Sequence, residues 1–191
     1  MDGSAAKMRN VVLMGTSHKH QLAGNTSEVA FRDFVEHICD VFKVRAIAEE
    51  MNLEALVQKH ASQSLCERIA NAKGVTHRYC DPNNEQRQTL HIRQEQDIRL
   101  DAFFNDWDQE RVEQEVRVSH AIREHYWLNK LLDLNCWPVL FLVCGADHIE
   151  YFRGAFESND LYADVAAWNW SNLETNPAVE HSHAHPRSAS R

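Results

Sequence analysis

Short apolar runs that end in glycine or an acidic residue alternate along this chain with stretches whose apolar residues recur every three or four positions. The first run, Asn10 to Gly15, is continuously apolar after its first residue, which is typical of a strand buried on both faces of a parallel sheet. Further strands are predicted at 44–48, 75–80, 139–144 and 163–170. Because stretches with helical spacing separate these runs, we predict an α/β fold with a mainly parallel sheet and flanking helices.

The helical stretches have recognisable starts and stops. Asn25 and Thr26 are suited to cap a helix that continues to Phe42. A second helical stretch extends over 53–74 and ends in glycine, with a serine-rich interruption near its middle. The segment 91–129 is strongly polar with interleaved apolar residues, which predicts long amphipathic helices before the late strand.

Length and charge limit the kinds of protein this chain could be. We predict a flexible lead-in at 1–9, a single α/β domain at 10–171 and a disordered, histidine-containing tail at 172–191. The net charge of −8 argues against binding to a nucleic-acid backbone. The longest apolar run, 137–145, is about half of a bilayer span, and the N-terminus lacks the features of a signal peptide. We therefore expect a cytoplasmic protein with no nucleic-acid or membrane partner.

Side chains suited to chemistry follow four of the predicted strands. Ligands of open parallel sheets bind beyond the carboxyl ends of the strands, where the loops converge. His18 follows the first strand, Glu49 and Glu50 follow the second, Asp81 follows the third and His148 follows the late one. The chain has twelve histidines, and these two are the ones placed directly after a strand and a glycine turn.

The two histidines share the pattern Gly-x-x-His, as Gly15-Thr16-Ser17-His18 and Gly145-Ala146-Asp147-His148. Glycine after a buried strand permits a sharp turn and close backbone approach, so the histidine can return over the edge of the sheet. Two imidazoles and a carboxylate are a standard ligand set for a divalent metal ion that keeps positions open for water and substrate. The sequence therefore predicts a divalent-metal site whose metal it does not identify.

These motifs, with a glutamate at the end of the second strand, resemble the superfamily of TraB/PrgY-type proteins, TIKI metalloproteases, erythromycin-esterase-like hydrolases and ChaN haem-binding proteins. The closest parts are the stretch from Val139 to His148 and the preceding segment Arg123–Leu128. The resemblance covers residues 11–170, and the short motifs are its specific part. Asp147 departs from the pattern, because small residues are common at that position.

The resemblance implies metal-assisted hydrolysis. His18, His148 and Glu50 would hold the ion, with Glu49 as the alternative to Glu50. It also implies supporting residues that act as a general base, pair with substrate charge or orient the ligands: Glu49, Asp81, Arg123 and Glu124. The expected substrate is a small molecule or a peptide.

Two other interpretations use the same fold. The crevice could be a non-catalytic pocket for a small ligand or haem, or the chain could be a regulatory protein whose segment 91–129 carries partner or homo-oligomer contacts. Nucleotide binding of the Walker or Rossmann kind is disfavoured because neither GxxxxGK[ST] nor GxGxxG occurs. A serine nucleophile is disfavoured because there is no GxSxG.

Overall fold

The computed structural model describes residues 10–133 and 138–171. Within them, five strands pair in parallel to form one sheet, which confirms the predicted α/β class. In chain order the strands are β1 (Asn10–Thr16), β2 (Ala46–Glu49), β3 (Thr76–Tyr79), β4 (Val139–Gly145) and β5 (Tyr162–Ala167). Across the sheet the order is β3-β2-β4-β1-β5. The predicted lead-in and histidine-containing tail lie outside the described residues.

Helices connect these strands, and the second predicted helical stretch is two helices. Asn52 and Ser64 each accept a hydrogen bond at a helix start, from the backbone N–H groups of Ala55 and Glu67. The helices are α1 (Glu28–Phe42), α2 (Leu53–Gln58), α3 (Leu65–Lys73), α4 (Asn84–Thr89), α5 (Glu95–Phe104), α6 (Gln109–Asp133) and α7 (Ile149–Glu157). Short 3-10 helices at His18–Gln21 and Ala146–His148 follow β1 and β4.

Each face of the sheet carries its own apolar core. Helices α1 and α3 cover one face, and α6 and α7 cover the other. Successive residues of a strand point to opposite faces, so Val12 and Met14 enter the α1/α3 core while Val11 and Leu13 enter the α6/α7 core. A strand buried on both faces is uniformly apolar, which explains the continuous run at 10–15.

The same alternation sets the direction of the two adjacent glutamates. Ile47 belongs to the α1/α3 core and Ala48 to the α6/α7 core. Continuing along β2, Glu49 returns to the α1/α3 face and Glu50 to the α6/α7 face. The backbone N–H of Glu50 donates to the carbonyl of Val143 at 2.9 Å, so pairing with β4 holds this residue in register.

The crevice at the sheet edge lies where β1 and β4 end side by side. These strands pair from Asn10 opposite Val139 to Thr16 opposite Gly145. The chain then leaves them in opposite directions, from β1 through α1 to β2 and from β4 through α7 to β5. Because α1 and α7 cover opposite faces, the two loops diverge from neighbouring strand ends, which is where open parallel sheets bind their ligands.

Helices α5 and α6 form an extension with a small core of its own, composed of Ile98, Ala102 and Val112. Phe103 and Phe104 do not enter it, and 77% and 72% of their respective surfaces are exposed. In the part of the chain that the structure describes, no helix combines the length and the apolar character needed to cross a membrane.

We predict that Gly15→Ala destabilises the fold. A Cβ at this position would lie 2.0 Å from the backbone oxygen of Trp168, so β1 and the chain after β5 would have to separate. Overpacking of this kind costs about 1 to 3 kcal/mol, and urea unfolding followed by circular dichroism measures it. Gly154→Ala is the control, because it lies in α7 with nothing within 4 Å of a new Cβ. Equal stability of the two variants would contradict the prediction.

Candidate functional site

A buried carboxylate, Glu50, is the centre of a polar cluster at the sheet edge. Its Oε1 lies 2.8 Å from Arg123 Nη2, 3.3 Å from His18 Nε2 and 3.9 Å from His148 Nε2. Its Oε2 accepts a hydrogen bond of 2.6 Å from the backbone N–H of Gly145. Only 2% of the Glu50 side chain is exposed, so these groups take the place of water around the charge.

These contacts keep Glu50 ionised. Burial alone would raise the pKa of Glu50, but the hydrogen bond from His18 and the charges of Arg123 and His18 outweigh burial and lower the pKa to about 2. The same hydrogen bond raises the pKa of His18 above 6.5, against the opposing effect of its burial. The His18 side chain is 55% exposed and forms the open side of the cluster.

Asp81, at the end of β3, is saturated with donors. Its Oδ1 accepts from Arg123 Nε at 2.7 Å and from Trp127 Nε1 at 3.2 Å. Its Oδ2 accepts from Arg87 Nη2 at 2.6 Å and from Asn52 Nδ2 at 3.1 Å. With two donors on each oxygen, the carboxylate has no free lone pair and serves to orient the two guanidinium groups.

Glu124 is adjacent to Arg123 on α6 and contacts His148. Its Oε1 lies 2.6 Å from His148 Nδ1, and both side chains are buried. Since an ionised carboxylate only accepts hydrogen bonds, the proton of this contact belongs to Nδ1. In a neutral imidazole the lone pair then sits on Nε2, the nitrogen that faces Glu50. Carboxylate–histidine pairs of this type orient histidines that bind metals.

Glu49 is not part of this cluster. It lies on the α1/α3 face, where its Oε1 accepts from the Ser64 hydroxyl and lies 2.7 Å from His77 Nε2. The ring of His77 packs edge-on against Tyr79, with centroids 4.5 Å apart. Of the seven residues predicted for the site, the structure therefore brings six together and places Glu49 in a separate buried network across the sheet.

Two contributors to the cluster, Asn52 and Trp127, were not predicted as site residues, and Arg87 also belongs to the cluster through Asp81. Trp127 has a signal in the sequence, because it follows Arg123 by four positions on one helix and so lies on the same helical face. The guanidinium carbon of Arg123 is 4.6 Å from the centre of the Trp127 ring. Asn52 also caps α2, and its spacing to Asp81 carries no comparable signal.

The donor atoms suit a divalent ion in their type. Two ligands that bond one zinc ion at about 2.1 Å lie about 3 to 4 Å apart, and the distances from Glu50 Oε1 to the two imidazole nitrogens fall in that range. The three side chains are not a closed metal cage, because Arg123 already contacts Glu50 Oε1. Among residues 10–133 and 138–171, no group of three or more His, Cys, Asp or Glu side chains is arranged to hold a metal ion.

No protein-family model, curated protein or solved structure matches this chain. Membership of the superfamily that the two Gly-x-x-His motifs resemble therefore stays a prediction. Any function assigned to the cluster has to be argued from its residues.

We predict that Asp81→Ala strongly destabilises the protein, because it leaves the buried guanidinium of Arg87 without its carboxylate and leaves Arg123 with Glu50 alone. Removing one partner of a buried ion pair costs about 3 to 5 kcal/mol, which urea unfolding would measure. Asp40→Ala is the control, since Asp40 is 71% exposed and pairs with Lys73 at the surface. A midpoint for Asp81→Ala close to that of Asp40→Ala would show that the network does not stabilise the fold.

We also predict a specific pH dependence for Glu50→Gln in metal-free protein. A pKa near 2 in the folded state, against 4.5 ordinarily, gives stability that is present above pH 4.5 and is lost as the pH falls towards 2. The stability difference between wild type and Glu50→Gln should shrink over that interval, as urea unfolding at successive pH values would measure. Glu113→Gln, on the exposed surface of α6, is the control. A difference that stays constant from pH 6 to 2 would be incompatible with an ionised, stabilising Glu50.

Proposed function

We propose that the cluster around Glu50 is the active site of a metal-dependent hydrolase, in which His18, Glu50 and His148 bind a divalent metal ion. The observation that carries the proposal is that Nε2 of both motif histidines lies within 4 Å of one oxygen of an ionised glutamate. The orientation of His148 by Glu124 supports it, as does the resemblance of the motifs to the TraB- and TIKI-type superfamily.

The balance of charge gives further support for cation binding. Three buried carboxylates, Glu50, Asp81 and Glu124, face two guanidinium groups, Arg87 and Arg123. One negative charge is therefore not balanced by a guanidinium, and a bound cation would balance it. In metal-free protein a proton on His18 can do so, consistent with the raised pKa of that imidazole. A metal ion would compete with this proton, so metal binding should weaken as the pH falls.

When bound, a divalent ion would polarise a scissile carbonyl or phosphoryl group and activate water for attack. The surrounding residues prepare the site for this chemistry. Glu124 keeps the Nδ1 proton of His148, so Nε2 remains available as a donor atom. Glu50 stays ionised at neutral pH and would bind the ion while it also contacts Arg123.

Arg123 supplies fixed positive charge beside the reacting group. Its Nε is tied to Asp81 and its Nη2 to Glu50, so the guanidinium is held in one orientation. A fixed cation stabilises negative charge that develops in a transition state better than a mobile one, because no reorganisation is needed. In this proposal Asp81 orients Arg123, and Glu49 has no part in the reaction.

We predict that the wild-type protein binds zinc and that His18→Ala or His148→Ala abolishes this binding, as measured by isothermal titration calorimetry. Glu124→Gln should weaken it by about 10- to 100-fold, the usual effect of losing a residue that orients a ligand. His125→Ala is the matched control, because His125 is an exposed histidine beside Glu124 on α6. Binding that survives the loss of His18 and of His148 would exclude this site.

Hydrolysis is tested on a panel of p-nitrophenyl esters and phosphate esters, with zinc, manganese or magnesium added to chelator-treated protein. Turnover should require the metal and be lost in His148→Ala but not in His125→Ala. Turnover that persists in both variants would point to a contaminant. Metal binding without turnover on any substrate class would contradict the hydrolase proposal while leaving the metal site intact.

A further inference from the structure

Trp127 connects the two halves of the cluster. It is fully buried, and its indole N–H donates to Asp81 Oδ1 at 3.2 Å. One contact of its ring is the guanidinium of Arg123, at 4.6 Å, and another is the imidazole of His148, edge-on at 4.9 Å. The ring also stacks on Phe152, with centroids 5.7 Å apart and an angle of 12° between the planes.

These contacts exceed what packing requires. The stack on Phe152 needs only an aromatic ring, which phenylalanine would also supply. The indole N–H has a specific target, because it binds the same Asp81 oxygen that accepts from Arg123 Nε. Trp127 thus touches the Asp81–Arg123 pair on one side and His148 on the other. Both Arg123 and His148 then converge on Glu50 Oε1.

We propose that Trp127 is a positioning residue for the site, and this inference rests on the hydrolase proposal above. Its N–H fixes Asp81, and through Asp81 the orientation of Arg123. Its ring fixes the separation between Arg123 and His148. The position of Glu50 Oε1 between a guanidinium and an imidazole depends on that separation. Loss of the N–H leaves Asp81 Oδ1 with Arg123 Nε as its one donor, so Asp81, and Arg123 with it, is held less firmly.

The test compares Trp127→Phe with Trp170→Phe. Trp170 is also buried, at 3% exposure, but packs on the α1/α3 side against Phe31. Two quantities are measured: zinc affinity by calorimetry with zinc alone, and hydrogen exchange of the Arg123 Nε–H by nitrogen-15 NMR in zinc-free protein. We expect Trp127→Phe to weaken zinc binding about 10-fold, as loss of an orienting residue does, and to accelerate this exchange. Trp170→Phe should change neither.

Arg87 supplies an internal reference within the same spectrum. Its Nε–H donates to the carbonyl of Pro82 at 3.1 Å, so this proton, unlike those of Nη2, is not held by Asp81. General destabilisation would accelerate exchange at Arg87 and Arg123 alike, whereas a positioning role for Trp127 accelerates it at Arg123 selectively. Exchange at Arg123 that is unchanged, or that rises only in step with Arg87, would overturn the inference.

Two further outcomes still allow the role of Trp127 to be tested. If the wild-type protein binds none of zinc, manganese and magnesium, the hydrolase proposal fails, and the exchange comparison alone decides the role of Trp127. If Trp127→Phe does not fold, benzothienylalanine at position 127 replaces it in the same measurements. That analogue keeps the size and shape of the double ring but lacks the N–H, so any remaining effect on Arg123 belongs to the lost hydrogen bond.

Discussion

The structure at the sheet edge depends on one buried negative charge, that of Glu50. Moving a carboxylate out of water costs several kcal/mol unless other groups replace its hydration. Here the replacements come from three separate elements: His18 after β1, Arg123 on α6, and Gly145 with His148 at the end of β4. The charge therefore constrains how α6 lies across the sheet and how both loops of the crevice are built.

The two motif glycines serve this arrangement in different ways. A Cβ at Gly145 would lie 3.1 Å from Glu50 Oε2 and 3.3 Å from His148 Cδ2, so a side chain would crowd the carboxylate that its N–H binds. Gly15 lies instead against the backbone of Trp168, where β1 meets the chain after β5. The two Gly-x-x-His motifs therefore look alike in the sequence but need glycine for different reasons. Gly145 leaves room for the Glu50 carboxylate that its N–H binds, and Gly15 allows two backbone segments to approach closely.

The apolar pattern of the strands and the packing of helices on the sheet explain how much of the fold and of the site could be predicted from the sequence. The apolar runs predict all five strands, because a parallel sheet buried on both faces needs such runs. Their ends are predicted less well, since the last strand ends at Ala167 and not at residue 170. Because such runs are apolar on both faces, the sequence does not show which of Glu49 and Glu50 faces the α6/α7 side of the sheet. Ile47 and Ala48 are both apolar, so the pattern does not say which face is which. That choice depends on which helices cover each face, and α6 is separated from β2 by about sixty residues of sequence.

The cluster contains two parts that differ in how they balance charge. The four donors on Asp81 are an amide, an indole and two guanidinium groups, whose charges are fixed. Around Glu50, by contrast, two of the partners are imidazoles, side chains that exist in a neutral and a charged form. Under the proposed function, the two parts of the cluster have different roles. The Asp81 part holds Arg123 still, and the Glu50 part is where a proton and a metal ion replace one another. If every partner of Glu50 were a permanent cation, as the two guanidinium partners of Asp81 are, its charge would already be balanced and a divalent ion would be attracted only weakly.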